Sequence, residues 1–113
     1  IVNTASNFGI TGGAERTHYA ASKAAIIAFS KSLATELAPA GIRVNIVAPG
    51  LTGTERVRDK YDKDEWAALS GVLPMGRAVM PEEVADGIFF LAGEESDYVT
   101  GATLHVNGGM VMP

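Results

Sequence analysis

Tyr19 and Lys23 stand four residues apart, and Ser6 lies thirteen positions before the tyrosine. A phenol beside a fixed ammonium and a hydroxyl is a set that can pass a proton to or from a carbonyl oxygen at neutral pH. A free tyrosine titrates near ~10, but an ammonium one helical turn away and the positive end of a helix dipole both favour the phenolate. A general acid/base works best when it titrates near the working pH. Ser6 is suited to hydrogen-bond a substrate oxygen and hold it for Tyr19, and Lys23 retains protons for the hydroxyls of a bound ribose. Hydride transfer between a nicotinamide and a ketone or alcohol requires this set.

The surrounding pattern supplies elements to hold these groups. Ile1 to Ala5 is short, apolar and β-prone, as a buried strand requires. Asn7 to Thr17 contains Gly9, Gly12 and Gly13 and reads as a loop. From about His18 to Ala38 the pattern is helical, with Ile26, Phe29, Leu33 and Leu37 forming one apolar stripe. Thr17 is the expected N-cap, and Pro39 with Gly41 ends the helix. Its first turns are rich in alanine, so another backbone can approach closely. Ile42 to Ala48 is nearly continuous in apolar character, as in a parallel strand covered on both faces, and Pro49-Gly50 stops it.

Further along, Leu51 to Leu73 is a charged, partly helical stretch holding Tyr61, Trp66 and Leu69. Pro81 opens a helix with Glu82 and Glu83 in its first turn, and Val84, Ile88, Leu91 and Ala92 mark its buried face. Ala102 to Val106 is a third strand, followed by the turn Asn107-Gly108-Gly109. The fold class is therefore α/β, with three strands and their helices. In such a sheet, ligands bind beyond the carboxyl ends of the strands. Ser6, the pair Tyr19/Lys23, and the run Pro49 to Thr54 all fall at that rim.

Simpler readings compete with each residue taken singly. A Tyr-x-x-x-Lys pair on a solvated helix usually does nothing, and Ser6 alone can merely cap a turn. The combination on a βαβ unit is what carries the inference. His18 reads as solvent-facing, and His105 as a packing or interface residue. Asp59, Asp62, Asp64 and Glu65 are interleaved with Lys and Arg, so a solvated helix face is expected there and no metal. Trp66 and Tyr61 either touch substrate or anchor the segment to the core.

Charge and composition exclude other classes. The net charge of −4 argues against nucleic acid and anionic membranes as partners, since both attract a basic face. With no cysteine there is no disulfide, thiolate chemistry or Cys-based metal site, in keeping with a cytoplasmic location. The chain opens on a strand-like segment without an initiator Met or a glycine-rich phosphate loop. It is expected to be a truncated, single partial domain over residues 1–113.

These residues resemble the short-chain dehydrogenase/reductase family. The likeness rests on Ser6, Tyr19-Ala20-Ala21-Ser22-Lys23, Asn45-Ile46-Val47-Ala48-Pro49-Gly50 with Thr54, Pro81-Glu82-Glu83-Val84-Ala85, and Thr100 to Gly109, in order along the chain. It implies the C-terminal half of a Rossmann-like doubly wound parallel sheet. Within the family, the ending Thr103 to Met110 is most similar to bacterial 3-oxoacyl-[acyl-carrier-protein] reductases, enzymes of fatty acid biosynthesis; close relatives act on sugars, steroids or small alcohols.

What the resemblance implies can be stated residue by residue. Tyr19 is the general acid in reduction, Lys23 lowers its pKa and binds the nicotinamide ribose, and Ser6 positions the carbonyl. Pro49, Gly50 and Thr52 line the nicotinamide pocket, and Thr54 lies near the carboxamide or phosphates. The cofactor is NADP or NAD, and the substrate a small or acyl-carrier-protein-bound carbonyl compound. Residues 51–75 match the substrate-covering segment. A homo-oligomer, dimer or tetramer, is implied through the Tyr19 helix and the last strand. The family's Gly-rich turn, its Asn-Ala-Gly segment and its upstream catalytic Asn have no counterpart here. Met80 stands where a stronger capping residue is usual, which predicts a weaker helix start. The rival expectation, from another class, is a non-catalytic fragment or association module lacking the cofactor cradle.

Overall fold

The computed structural model describes all residues from Ile1 to Pro113. Three parallel strands, β1 (Val2–Thr4), β2 (Asn45–Pro49) and β3 (Thr103–Val106), lie side by side in sequence order. Between β1 and β2 come a short helix α1 (Phe8–Thr11) and the long helix α2 (Thr17–Leu37), closed by a 3₁₀ turn at Ala38–Ala40. Between β2 and β3 come α3 (Glu55–Arg58), α4 (Lys63–Gly71) and α5 (Pro81–Ala92). The α/β class and the parallel arrangement follow the sequence expectation.

Register determines which helix covers which face. Asn3 pairs with Ile46 and Ile46 with Thr103, while Val47 pairs with Leu104. Side chains alternate along a strand, so these two rows point in opposite directions. Asn3 Nδ2 donates to Ser30 Oγ of α2 at 2.9 Å, which puts α2 on the first face. A Cβ added to Gly87 of α5 would stand 3.0 Å from Val106 Cγ2 and 3.3 Å from Leu104 Cδ2, which puts α5 on the other. Covered on both faces, β2 is fully buried at Asn45, Ile46, Val47 and Ala48.

β2 is shorter at its start than its apolar run predicts, beginning at Asn45, two residues after Arg43. The Arg43 guanidinium donates to the carbonyls of Leu91, Gly93 and Val99 and to Ser96 Oγ, at 2.9–3.3 Å. The side chain alone makes this staple; the Arg43 carbonyl accepts the Ile1 ammonium at 2.8 Å, and the Val44 backbone bonds Thr100 Oγ1 and Gly101 N. Asn45, buried at the first ladder position, spends its whole amide on the lead into β3, donating to Val99 O and accepting from Ala102 N.

α2 also differs from expectation. Thr17 is its first helical residue and not its cap; Arg16 occupies the N-cap with no side-chain bond to the helix. The face turned to the sheet runs through Ile26, Ile27, Ser30, Leu33, Ala34 and Leu37, whereas Phe29 is 60% exposed. In a helix apolar on most sides, the small residues Ser30 and Ala34 allow the closest approach. On α5, Leu91 is buried, Val84 and Ile88 are half-buried, and Ala92 is exposed. Its start is stronger than Met80 suggests, because Glu83 Oε2 accepts the Met80 N–H at 2.8 Å.

Candidate active site

Hydrogen bonds continue past the strand ends and build a rim. Ala5 N donates to Val47 O, Asn7 N to Pro49 O and Gly50 N to Val106 O, at 2.8–3.2 Å. Ser6 sits within this stitching, just beyond β1, and is buried. Its Oγ accepts the Phe8 N–H at 3.2 Å. With a lone pair committed to that contact, the Ser6 hydroxyl hydrogen is left to act as a donor, as holding a carbonyl oxygen requires.

The segment read as a loop contains α1, and this short helix joins Ser6 to the helix carrying Tyr19. A Cβ on Gly9 would stand 2.7 Å from the Lys23 carbonyl carbon and 2.9 Å from Ala24 N, so α1 lies directly on the backbone of α2. Phe8 meets Tyr19 edge-on, with ring centroids 6.2 Å apart. The Ser6 segment is thus joined to the helix of Tyr19 and Lys23 by two contacts, Gly9 on α2 and Phe8 on Tyr19, that pattern reading missed. Four residues are too few to show helical periodicity; the one available signal was the absence of a side chain at Gly9.

Tyr19 is 37% exposed, open to a ligand on its free side. Lys23 Nζ lies 5.8 Å from the Tyr19 ring centroid and donates to Thr4 O at 3.0 Å. That bond fixes the ammonium at the end of β1 and leaves two of its three protons for other acceptors.

The second strand end supplies the rest of the rim. Pro49 is the last residue of β2. Gly50 must be glycine because a Cβ there would meet Asn107 Cβ at 2.9 Å and Cα at 3.0 Å. Thr52 forms a parallel bridge with Val79, and its Oγ1 donates to Gly50 O at 3.2 Å. Thr54 caps α3, with Oγ1 accepting Val57 N at 3.4 Å, so its hydroxyl hydrogen remains free. The donors left free for the nicotinamide-ribose half of a dinucleotide are two Lys23 protons and the Thr54 hydroxyl, since the Thr52 hydroxyl and the Gly50 N–H are spent on Gly50 O and Val106 O.

Residues 51–75 make up α3, α4 and their connections. Trp66 packs within this segment: a Cβ on Gly53 would be 3.6 Å from Trp66 Cζ2, and the Tyr61 ring lies 6.1 Å from the Trp66 ring. The carboxylates in this stretch are partly spent on capping. Asp62 Oδ1 accepts from Asp64 N and Glu65 N, and Glu65 Oε2 accepts from Asp62 N, at 2.8–2.9 Å. His18 is exposed, and His105 is half-buried in β3 with Nδ1 unpartnered.

Comparison with known proteins covers the whole arrangement. A family model described as "Enoyl-(Acyl carrier protein) reductase" matches residues 1–111. The 3-oxoacyl-[acyl-carrier-protein] reductase FabG of Vibrio harveyi is 48% identical over 112 residues, 99% of this chain and 46% of the relative. The proteins of the same name from Rickettsia bellii and Escherichia coli K12 are 45% and 46% identical over the same shares. The chain spans about half the length of the curated relatives it matches. Its motif order and parallel α/β fold agree with matches running along 99% of its length, and this chain belongs to the short-chain dehydrogenase/reductase family.

Proposed function

We propose that the protein to which this chain belongs is an NAD(P)-dependent oxidoreductase that reduces a carbonyl to a secondary alcohol. The best-supported substrate is a 3-oxoacyl thioester carried on acyl-carrier protein, the substrate in the names of the matched reductases. The observation that carries this reading is the seating of α1 on α2, which joins the segment of Ser6 to the helix bearing Tyr19 and Lys23 and supports their acting on one carbonyl.

When bound, the nicotinamide of NADP or NAD supplies the hydride that the carbonyl carbon accepts. This chain's residues do the rest. Ser6 donates its hydroxyl hydrogen to the carbonyl oxygen and fixes its direction. Tyr19 gives that oxygen a proton as its charge grows. Lys23 stabilises the negative charge left on the phenol oxygen and directs its spare protons to ribose hydroxyls. Pro49, Gly50, Thr52 and Thr54 line the nicotinamide side, and residues 51–75 cover the substrate.

Two wider statements belong to the same proposal. The protein works as a homo-oligomer, dimer or tetramer, which is supported by Phe29 on α2 and Phe89 on α5, exposed by 60% and 80%. It acts in the cytoplasm, in keeping with a cysteine-free sequence; no helix is long and apolar enough to cross a membrane.

Tyr19→Phe in the full-length enzyme is the test. It should cut turnover of an acetoacetyl thioester by at least about 10²-fold while cofactor affinity stays within about twofold. Turnover near the wild-type rate in that variant refutes the assignment.

A further inference from the structure

Three hydrogen bonds close the rim of the sheet into a ring. Asn7 N donates to Pro49 O and joins the end of β1 to the end of β2, while Gly50 N donates to Val106 O and joins β2 to β3. The third bond is made by side chains. Asn107 Nδ2 donates to Asn7 Oδ1 at 3.2 Å, between residues 100 positions apart. β2 separates β1 from β3 in the sheet, so no ladder bond can join those two strands directly. Gly50 leaves the space that Asn107 occupies, since a Cβ there would stand 2.9 Å from Asn107 Cβ.

The two buried amides are not equally employed. Asn107 uses every polar group it has: Nδ2 also donates to Val111 O at 2.8 Å, and Oδ1 accepts Gly109 N at 2.9 Å. Asn7 accepts through Oδ1, yet its Nδ2 is buried with no partner. A buried donor left unpaired costs free energy, and an apolar pair of the same shape fills such a space without that cost. Stability alone therefore gives no reason for an amide here. The cost falls on the residue next to Ser6 in the chain. The Asn7 carbonyl is occupied as well, accepting Ile10 N and Thr11 N at 2.9–3.0 Å, so the residue is held from α1, β2 and β3 together.

We infer that Asn7 and Asn107 are positioning residues: their bond holds Ser6 in register with the Pro49–Gly50 side of the rim, and so orients the substrate carbonyl toward the nicotinamide face. This rests on the carbonyl-reduction reading above and adds to it two residues that act through Ser6 and need not touch the substrate. Bonds along the strand ends alone leave the β1 end free to swing about β2. The third bond closes the triangle and removes that hinge.

Asn7→Ala in the full-length enzyme tests this, because it removes the bond and leaves Asn107 its contacts with Val111 and Gly109. With NADPH and an acetoacetyl thioester, kcat should fall about tenfold while KM and NADPH affinity stay within about twofold. Asn107→Ala makes the same comparison from the other side of the bond. It should lose kcat to a similar degree, with a lower Tm because the contacts to the tail go too.

The deciding measurement repeats both substitutions in Ser6→Ala. A residue that acts through Ser6 has nothing to position once the hydroxyl is gone, so each should then change kcat by less than about twofold. A purely structural role lowers kcat equally in both backgrounds. That equal loss, or an unchanged kcat for Asn7→Ala alone, overturns the inference and leaves the reduction reading standing. Full turnover in Ser6→Ala by itself is the separate failure of that reading, and takes this inference with it.

Discussion

Gly9 rests against the backbone of Lys23, with room for a hydrogen atom and nothing larger. A Cβ on Gly9 would be 2.7 Å from the Lys23 carbonyl carbon and 2.9 Å from its oxygen, both backbone atoms inside α2 that cannot swing aside. This contact sets how far the Ser6 segment stands from Tyr19 and Lys23, which belong to a different element. The separation of the proposed reacting groups is thus governed by a residue that carries no functional group.

Gly9→Ala should therefore damage stability and catalysis together. Overpacking against rigid backbone costs about 1–3 kcal/mol, and the shift in α1 carries Ser6 away from the carbonyl position. The expected outcome is a lowered Tm with kcat down by about tenfold or more. Gly71→Ala is the control: nothing lies within 4 Å of its added Cβ at the end of α4, and Tm should hold or rise slightly. Equal behaviour of the two variants in thermal melts and steady-state kinetics would remove Gly9 from this role.

Ser6→Ala isolates the donor. Ser6 Oγ already accepts the Phe8 N–H, so its hydrogen is the part free to meet a carbonyl oxygen. Removing one such donor costs on the order of 10²–10³ in kcat at sites that stabilise developing charge. The variant should lose kcat at nearly unchanged cofactor affinity, as measured by steady-state rates and NADPH titration. The side chain's acceptor role predicts a small loss of stability as well, because Phe8 N–H then lacks its partner.

Arg43 offers a prediction independent of the chemistry. Its guanidinium holds three carbonyls and Ser96 Oγ, binding the start of β2 to the end of α5 and the turn before β3. Charge-assisted bonds of this kind contribute about 1.5–3 kcal/mol each, and they are not additive. Arg43→Lys keeps the charge but not the fork, so it should destabilise the fold nearly as much as Arg43→Met. Chemical denaturation of the two variants tests this; full stability in the lysine variant would show that charge alone suffices.

Much of this arrangement was legible in the sequence, and the gaps have identifiable causes. Ile46, Val47 and Ala48 announce a buried parallel strand, since that signal lies in residue type and spacing, and the proposed chemistry rests on the same kind of signal at Ser6, Tyr19 and Lys23. α1 carries no such signal, because it is held by contact with α2 and by no local pattern. The apolar run from Ile42 puts the start of β2 too early, because the ladder with β1 begins only at Asn45, opposite Val2. Phe29 joins the apolar stripe by spacing but is exposed, because an alanine-rich helix is apolar nearly all round and only close packing selects Ser30 and Ala34.

The last prediction concerns acid. Glu83 is held down at about 2, first by its side-chain bond to Arg77 and then by the Met80 N–H, against an ordinary value of 4.5. Arg77 Nη1 also donates to Ala78 O, so the pair ties residues 77 and 78 to the first turn of α5. A carboxyl depressed in the folded state stabilises it fully above its ordinary value and loses that contribution as pH falls through the folded one. The window therefore runs from about pH 4.5 down to about 2. Arg77→Gln should move the Glu83 titration, followed by carbon NMR of the carboxyl, up toward the ordinary range. The stability gap between variant and wild type, present at neutral pH, should narrow across that window and vanish below it. Both sides are half-exposed, so added salt should shrink the gap at every pH. A Glu83 midpoint unmoved by Arg77→Gln would show that the Met80 N–H, and not the guanidinium, holds the carboxylate ionised.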